Sequence, residues 1–556
     1  MKRKNIEKLL SDICEKLKQV SGQAAMTIIN TLLNLVETLL EENEAKSKEI
    51  QKLQDEVNLL KGEQGKPDIN KESKDKKNNT NHSSENERKK RTSTKPRKPG
   101  GTNKSKVTVD RVVELQIDPS TLPHGTERHG IKSTVVQDIN FSTDNVEFKR
   151  QTYYNKATKQ WFIAPLPDGY DTEYGPKIKA YIKAAYSTWG MTIQAIVSAL
   201  TCMNIKISSA TVSRILLKDS EPLHNEKKDI VQAGLSATPY QHLDDTSGRE
   251  KGKNCYVQIL ANPYYTAYFT TKRKNRLTVI EVLNGGQLDF LLNQNTIYMM
   301  EEMGLPNKYL VKIHDKNLSG MLTAKAMDSL ISDLFPDPDK HEKNRIMVIE
   351  ACAISAYQAN PDAIQYLIVD DAPQFKSITR WLGLCWIHEG RHYKKMNPVI
   401  PKHKAILSEF IEAFWDYYRM LADYKKNPVS LLAHELEAKF DALFSQNTGY
   451  EKLDKQLELT LLKKKELLLV LRFPFIPLHN NEVELGARVQ ARNRDIHLHT
   501  MSAEGTKIKD TLATIGETAR KLGMNVFHYL LDRIMMKYEM QSLANTIHEL
   551  SSVARQ

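Results

Sequence analysis

Carboxylates recur in this chain at the ends of apolar runs. In "YQHLDDT" (240–246), Asp244 and Asp245 follow Leu243. In "IQYLIVDDAPQFK" (364–376), Asp370 and Asp371 follow Ile364, Tyr366, Leu367, Ile368 and Val369. A continuous apolar run rich in β-branched residues reads as a strand covered on both faces. The carboxyl end of such a strand is where open sheets collect ligands. Another acid, Glu484, lies in "LHNNEVELGARVQARNRDIH" (478–497), a helical pattern whose later turns carry Arg488, Arg492 and Arg494. Two Asp and one Glu from separate elements suit Mg²⁺, a hard cation that takes carboxylate oxygens and retains waters. Two such ions, about 3.5–4 Å apart, would clamp an in-line phosphoryl transfer. Without metal, three clustered carboxylates repel and one takes up a proton. Singly, each acid has an ordinary alternative: strand-end acids cap loops, and helix acids face solvent.

These acids need elements to position them. Residues 238–246 read as a strand ending in acids, 254–271 as a hairpin turning at "ANPY", and 275–283 as the start of a helix. Residues 308–370 include helical stretches and end in the strand that delivers Asp370. Residues 401–470 are long, amphipathic and helical, with "KAILSEFIEAFWDYYRMLADY" as the clearest piece. Upstream, "WGMTIQAIVSALTCMNIKISSATVSRILL" (189–217) reads as a helix-turn-helix. Its first helix spans Thr192–Leu200. Ser208 caps a second, about Ser209–Leu217, with Val212, Ile215 and Leu216 inward. The outer side, Ser209, Thr211, Ser213 and Arg214, suits a DNA groove; a helical hairpin without DNA is the alternative. Residues 107–165 alternate in short runs and read as a small β-rich domain.

The chain has 556 residues and a formal net charge of +12, so several domains and an anionic partner, nucleic acid first, are expected. Five scattered cysteines, Cys14, Cys202, Cys255, Cys352 and Cys385, argue against a disulfide framework, and none are spaced C-x-x-C. No apolar stretch is long enough to span a bilayer, and the N-terminus lacks a signal peptide's apolar core. The expected location is the cytoplasm, with no membrane partner.

Residues 22–62 repeat in heptads. One core set is Ile29, Val36, Asn43, Ile50 and Val57; the other is Leu32, Leu39, Lys46, Leu53 and Leu60. β-branched residues at a with Leu at d favour a parallel two-stranded coiled coil. A homodimer or higher oligomer follows; the alternative is one amphipathic helix packed on its own chain. Residues 63–106 are polar, then strongly basic, and are expected to be disordered. They form a linker or a tether for DNA backbone.

"HLDDT", "LIVDDAPQF", "CWIHEGRHYKK", "HNNEVE" and the terminal "GMNVFHYLLDRI" together resemble the insertion-sequence 66 family of bacterial DDE transposases. So do the zipper, the "EVNLLKGEQGKPDI" junction and the helix-turn-helix, in order over nearly the whole chain. The resemblance implies a multidomain α+β protein with an RNase H-like α/β catalytic core and an α-helical insertion. In this chain's numbering the implied parts are a coiled coil over 1–65, a basic linker over 66–106, a small β domain over 107–170 and a helix-turn-helix over 171–222. The core would occupy 223–397 and 472–535, the insertion 398–471, and a helical tail 536–556. It further implies DNA cutting and strand joining with Mg²⁺ (two ions), or Mn²⁺ in its place. Element ends and target DNA would be the partners, with accessory proteins of the same element and a place on the bacterial nucleoid.

Position by position, the family's His-x-Asp-acid-Thr pattern matches Asp244, the acid five residues before an aromatic matches Asp370, and Asn-Asn-x-x-Glu matches Glu484. The neighbours Asp245, Asp371 and Glu482 are thereby set aside. Lys272, Arg273, Lys274, Arg276, Arg488, Arg492 and Arg494 are candidate phosphate contacts, each with ordinary surface charge as the alternative. Departures are His479 and Leu485, where the family often has Asp and Arg, and the lack of a cysteine-rich zinc motif between zipper and core. Two other readings attach to "CWIHEGRHYKK": Cys385 and His388 opening a zinc site, or His388 and Arg391 echoing tyrosine recombinases, for which Tyr393 stands too close. The structural alternative is a helix after the Asp370 strand, with Trp386 in the core. The rival of another class is a DNA-binding protein descended from a transposase and without chemistry.

Overall fold

A computed structural model describes residues 23–60, 109–118, 121–124, 126, 131, 133–136, 138–139, 142–316, 319–337 and 340–555. The expected linker, 66–106, lies outside the described residues, as do 1–22 and 61–65 of the expected coiled coil. The described residues form a mixed α+β structure with twenty helices and nine strands, β1–β9 in chain order. No helix among them is long and apolar enough to cross a membrane.

Five strands make the central sheet: β3 (Tyr240–Glu250), β4 (Lys253–Asn262), β5 (Tyr265–Thr271), β8 (Tyr366–Val369) and β9 (Trp381–Leu384). Their order is β5-β4-β3-β8-β9. β3, β4 and β5 pair antiparallel; β8 runs parallel to β3, and β9 parallel to β8. β1 (Thr152–Asn155) with β2 (Gln160–Ile163), and β6 (Phe290–Leu292) with β7 (Gly320–Leu322), form separate two-stranded ribbons. The segment expected to be β-rich, 107–165, thus holds one exposed hairpin among its described residues. Its alternation reads as strand locally, but among the described residues no third strand pairs with it and its residues are exposed.

β3 does not end at its acids. It continues to Glu250, pairing Asp244 with Ile259 and Asp245 with Gln258. The polar run after the acids gave no strand signal, yet a two-residue turn folds it back. Lys251 and Gly252 both have positive φ, 49° and 76°, the conformation that matches the twist of paired strands. At the β5 edge, side chains of helix Ala503–Lys521 complete the ladder. Thr518 Oγ1 and Thr514 Oγ1 accept the N–H groups of Thr266 and Tyr268, and Asp510 accepts that of Thr270. The edge is thereby closed to further pairing.

The helix-turn-helix residues form helices Ile193–Cys202 and Ser209–Leu217. Thr192 Oγ1 caps the first by accepting Ala195 N–H, and Ser208 Oγ caps the second by accepting Thr211 N–H. The buried ammonium of Lys183 donates to the carbonyls of Ile215 and Leu216, closing the other end of the second helix. This unit rests on helix Asn481–His497: His497 stacks on Tyr186 with centroids 4.5 Å apart, and its Nε2 lies 3.1 Å from Met191 O.

Between β9 and Glu484 stand helices Trp386–Lys395, Pro401–Lys426, Ser430–Phe444 and Glu451–Leu462, with short turns at Lys464–Leu467 and Leu469–Arg472. Trp386, Phe410, Phe414, Tyr417, Phe440 and Phe444 pack edge-on or tilted in their midst.

The N-terminal helix Gln23–Leu60 docks on these helices. Leu33 is 5% exposed and meets Ile400, flanked by Ile29, Val36 and Leu40. Glu37, fully buried, accepts the N–H groups of Val399 and Ile400 and pairs with His403 Nδ1 at 3.0 Å. Asn34 bridges Gly449 O and Glu451 N–H. One expected heptad set is thus split: Ile29 and Val36 face the chain's own helices, while Asn43 and Ile50 are exposed. In the other set Leu32, Leu39 and Leu53 are more than half exposed. The packed-on-itself alternative describes residues 29–40. The side chains of Val57 and Leu60 lie outside the described set.

Candidate active site

β3 and β8 set the first two acids. Tyr240 faces Tyr366, and His242 faces Ile368. Asp244 and Asp370 each lie two residues beyond that pair, so the two chains deliver both acids to the same end of the sheet. β8 ends at Val369, so Asp370 begins the loop while β3 carries on beside it. The neighbouring acids turn to cations or amides. Asp245 lies 3.4 Å from Lys274 Nζ and accepts Gln374 Nε2 at 3.1 Å. Asp371 pairs with Lys376 at 3.3 Å and Lys463 at 3.1 Å. Lys463 also holds the buried Glu389 at 2.7 Å, tying the loop after β8 to the helices beyond β9.

The third acid arrives on helix Asn481–His497, which two devices press against the sheet. Asn480, buried at its start, donates Nδ2–H to Leu243 O at 3.2 Å and has its Oδ1 2.8 Å from His242 Nδ1. That orientation makes His242 the donor, with the proton on Nδ1. Burial pushes the imidazole down to about 3, the Asn480 bond opposing, so the ring is neutral. Gly486 is the second device. A Cβ there would come 2.9 Å from Ile259 Cγ2 and 3.1 Å from Thr266 Cγ2, so its absence lets the helix lie close on β4 and β5. Glu482, two residues before Glu484, turns away to Lys521 Nζ at 2.7 Å.

Burial and crowding of like charge dominate the electrostatics. Asp244 is pushed up to about 7, by burial first and then by Asp370, with Asp245 and Glu484 adding to it. Asp370 is raised by burial, against the pull of His388. Glu484 Oε2 accepts Arg391 Nη2 at 2.9 Å. Its Oε1 is shielded from solvent and has no hydrogen-bond partner among the described residues. An orphaned carboxylate oxygen beside two acids that resist ionisation is a donor set deficient in positive charge. Oxygen donors of this kind fit a hard divalent cation. Asp244, Asp370 and Glu484 could hold one.

Sequence reasoning passed over His242 and Asn480, although both sit inside the quoted motifs. It reads His388 as opening a zinc site with Cys385 or as part of a recombinase-like pair with Arg391, not as a neighbour of Glu484. Helix Trp386–Lys395 starts directly from β9 through Cys385, and His388, in its first turn, lies beside Glu484. Cys385, His388 and Glu484 offer ligand atoms all within 4.8 Å of one another. Cys385 makes a poor ligand here: its thiol is pushed up to about 12 by burial, and its sulfur accepts Asn480 N–H at 3.3 Å.

The candidate DNA contacts divide. Lys272 and Arg273 are exposed just past β5, and Lys274 reaches Asp245 at the rim of the acids. Arg488 and Arg492 are exposed, one and two turns along from Glu484. Ser209 and Arg214 are exposed on the second helix of the helix-turn-helix; Thr211 and Ser213 are partly covered. Arg276 departs from expectation. Its guanidinium binds Glu350 at 2.5 Å and Lys376 O at 3.1 Å, bracing the loop after Asp370. Arg494 likewise donates to Ser247 O at 3.0 Å and fastens its helix to β3.

No family model matches the chain. It is similar to a protein of Sinorhizobium fredii (strain NBRC 101917 / NGR234) named "Uncharacterized protein y4jO", at 29% identity over 305 residues. The matched stretch is 55% of this chain and 94% of that protein.

Proposed function

We propose that this chain is a DDE-type DNA transposase that hydrolyses phosphodiesters at element ends and joins the freed 3′-hydroxyl to target DNA. The carrying observation is that Asp244, on β3, and Asp370, just past the end of the neighbouring β8, lie close enough for the charges of Asp370 and Glu484 to raise Asp244, while Oε1 of Glu484 is without a hydrogen bond among the described residues. The strand order β5-β4-β3-β8-β9, three antiparallel strands followed by two parallel ones, supports an RNase H-like core. Helices between the second Asp and the Glu support the insertion that the insertion-sequence 66 resemblance implies.

Asp244, Asp370 and Glu484 would hold Mg²⁺, or Mn²⁺ in its place. When bound, the cation supplies a Lewis acid at the scissile phosphate and lowers the pKa of an attacking water. Rigid placement of the three acids is the chain's own part. β3 and β8 fix two carboxylates through backbone ladders, and Asn480 and Gly486 fix the third. Water oxygen bonds to phosphorus as the 3′-oxygen leaves, giving a 5′-phosphate and a 3′-hydroxyl. That hydroxyl then displaces the 3′-oxygen at a target phosphodiester. Lys272, Arg273, Arg488 and Arg492 border the acids and suit the phosphate backbone on either side. Ser209 and Arg214 suit an element end.

The test is strand cleavage of labelled linear DNA bearing the sequences that flank this chain's gene, with and without Mg²⁺ or Mn²⁺. Metal-dependent nicking that Asp370→Asn abolishes while DNA binding persists is the expected result. Equal binding without cleavage by either protein, with the element's other products added, would leave a binding protein without chemistry.

A further inference from the structure

Glu484 has one oxygen committed and one free. Arg391 takes Oε2 at 2.9 Å, and Oε1 makes no hydrogen bond among the described residues. His388 Nδ1 lies 3.8 Å from that oxygen, itself shielded from solvent and without a hydrogen bond among the described residues. This separation is too long for a hydrogen bond, whose N···O distance stays within about 3.2 Å. It is a natural separation for two donors to one cation, since metal–nitrogen and metal–oxygen bonds of about 2.0–2.2 Å place adjacent ligands roughly 3–4 Å apart. Asp370 lies within charge range of the same imidazole. Cys385, the remaining member of the cluster, already uses its sulfur as an acceptor for Asn480 N–H.

We infer that His388 is an additional ligand of the candidate centre, giving a nitrogen to the cation held by Glu484 and selecting a first-row ion such as Mn²⁺ over Mg²⁺. This rests on the metal-dependent reading of the three acids. Imidazole is accepted by first-row divalent ions, whereas Mg²⁺ keeps to oxygen and water. The fold gives the placement: β9 ends beside β8, and helix Trp386–Lys395 begins at once, so its first turn overlooks the sheet end that bears Asp370. Arg391, one turn on, holds Glu484 from the other side and leaves Oε1 turned to the histidine.

The full-length protein is titrated with Mn²⁺ alone, free ion being read by electron paramagnetic resonance, and the bound ion is then examined by pulsed methods for directly coordinated nitrogen. The variants are His388→Gln, which keeps the side chain's bulk, and Asp370→Asn. The expected result is a nitrogen coupling in the wild type that His388→Gln lacks. Mn²⁺ affinity should fall about tenfold or more in His388→Gln, with a smaller change for competing Mg²⁺. Bound Mn²⁺ without nitrogen coupling, or unchanged affinity in His388→Gln, overturns the role of His388 and leaves the acids' role standing. Loss of affinity in neither variant overturns the metal reading itself. Circular dichroism and thermal melts of both variants separate loss of a ligand from loss of fold.

Discussion

The hydrogen bond between His242 and Asn480 offers a sharp quantitative test, because it joins the Asp244 strand to the start of the Glu484 helix. Asn480→Leu removes that bond and the one to Leu243 O. Each bond contributes about 0.5–1.5 kcal/mol net, and a buried donor left without a partner costs about 1–3 kcal/mol more. His242 is 1% exposed, so its Nδ1–H has no water to turn to. The single substitution should therefore cost at least about 2 kcal/mol. At roughly 2–4 °C per kcal/mol for a body of this size, the main transition should drop by about 4–8 °C or more. His242→Leu should cost a similar amount by stranding the Asn480 amide. The double variant replaces both partners by apolar groups, which is close to neutral in such pairs. It should thus melt no lower than either single variant. A double-mutant cycle by differential scanning calorimetry measures the coupling. Additive losses in the double variant would refute the claim that this pair fastens helix to strand. In the same variants, displacement of Glu484 by about 1 Å should lower metal-dependent cleavage on the order of 10²-fold.

Gly486→Val should push the Glu484 helix off Ile259 and Thr266, costing about 1–3 kcal/mol and cutting cleavage while circular dichroism stays unchanged. Lys272→Ala and Arg273→Ala should each reduce the slope of log affinity for duplex DNA against log salt by about 0.9, without altering thermal stability. Arg276→Ala should instead lower the melting temperature, since breaking its shielded pair with Glu350 costs about 3 kcal/mol. Lys183, held down to about 8 by burial, remains deprotonated in the native state from there up to its unfolded value near 10.5. The unfolded chain binds the extra proton in that window, so native stability gains as pH rises. The melting temperature of the wild type relative to Lys183→Met should rise between pH 8 and 10. Leu33→Asp should free helix Gln23–Leu60, seen as faster proteolysis within it and an unchanged pattern beyond residue 170.

Much of the local structure was legible because local chemistry determined it. Ser208 caps its helix as its spacing predicted, and Thr192 and Asn275, read as the first residues of helices, cap them instead. The apolar run before Asp370 is a strand because it has sheet neighbours on both sides and is buried on both faces. What escaped depended on partners far away in the chain. The β3 extension through Ser247 and Arg249 is stabilised by β4, and its polar residues carry no signal of that pairing. A heptad reading of residues 29–60 ranks Leu32 above Leu33. Ile400, some 370 positions later, buries Leu33 instead. The same reasoning explains the site. The types and spacing of Asp244, Asp370 and Glu484 can be read in the sequence, but their meeting at one end of the sheet follows from a strand register that only the assembled sheet displays. His388 was obscure for a different reason. A histidine one turn after a cysteine has many ordinary uses, and its meaning rests on which oxygen Arg391 leaves open.

The docking of Glu37 also bears on the order of events during synthesis. Its carboxylate closes on Val399, Ile400 and His403, residues 362–366 positions downstream. At translation rates of about 5–20 residues per second, those partners leave the ribosome roughly 20–70 s after the helix itself. For that interval Ile29, Leu33, Val36 and Leu40 have no surface of their own chain to cover them. Neighbouring ribosomes on one messenger carry the same uncovered helix at high local concentration. Any pairing of two chains through this segment would compete in time with its docking on residues 399–403, and slower elongation between residues 60 and 400 would lengthen the interval before that docking.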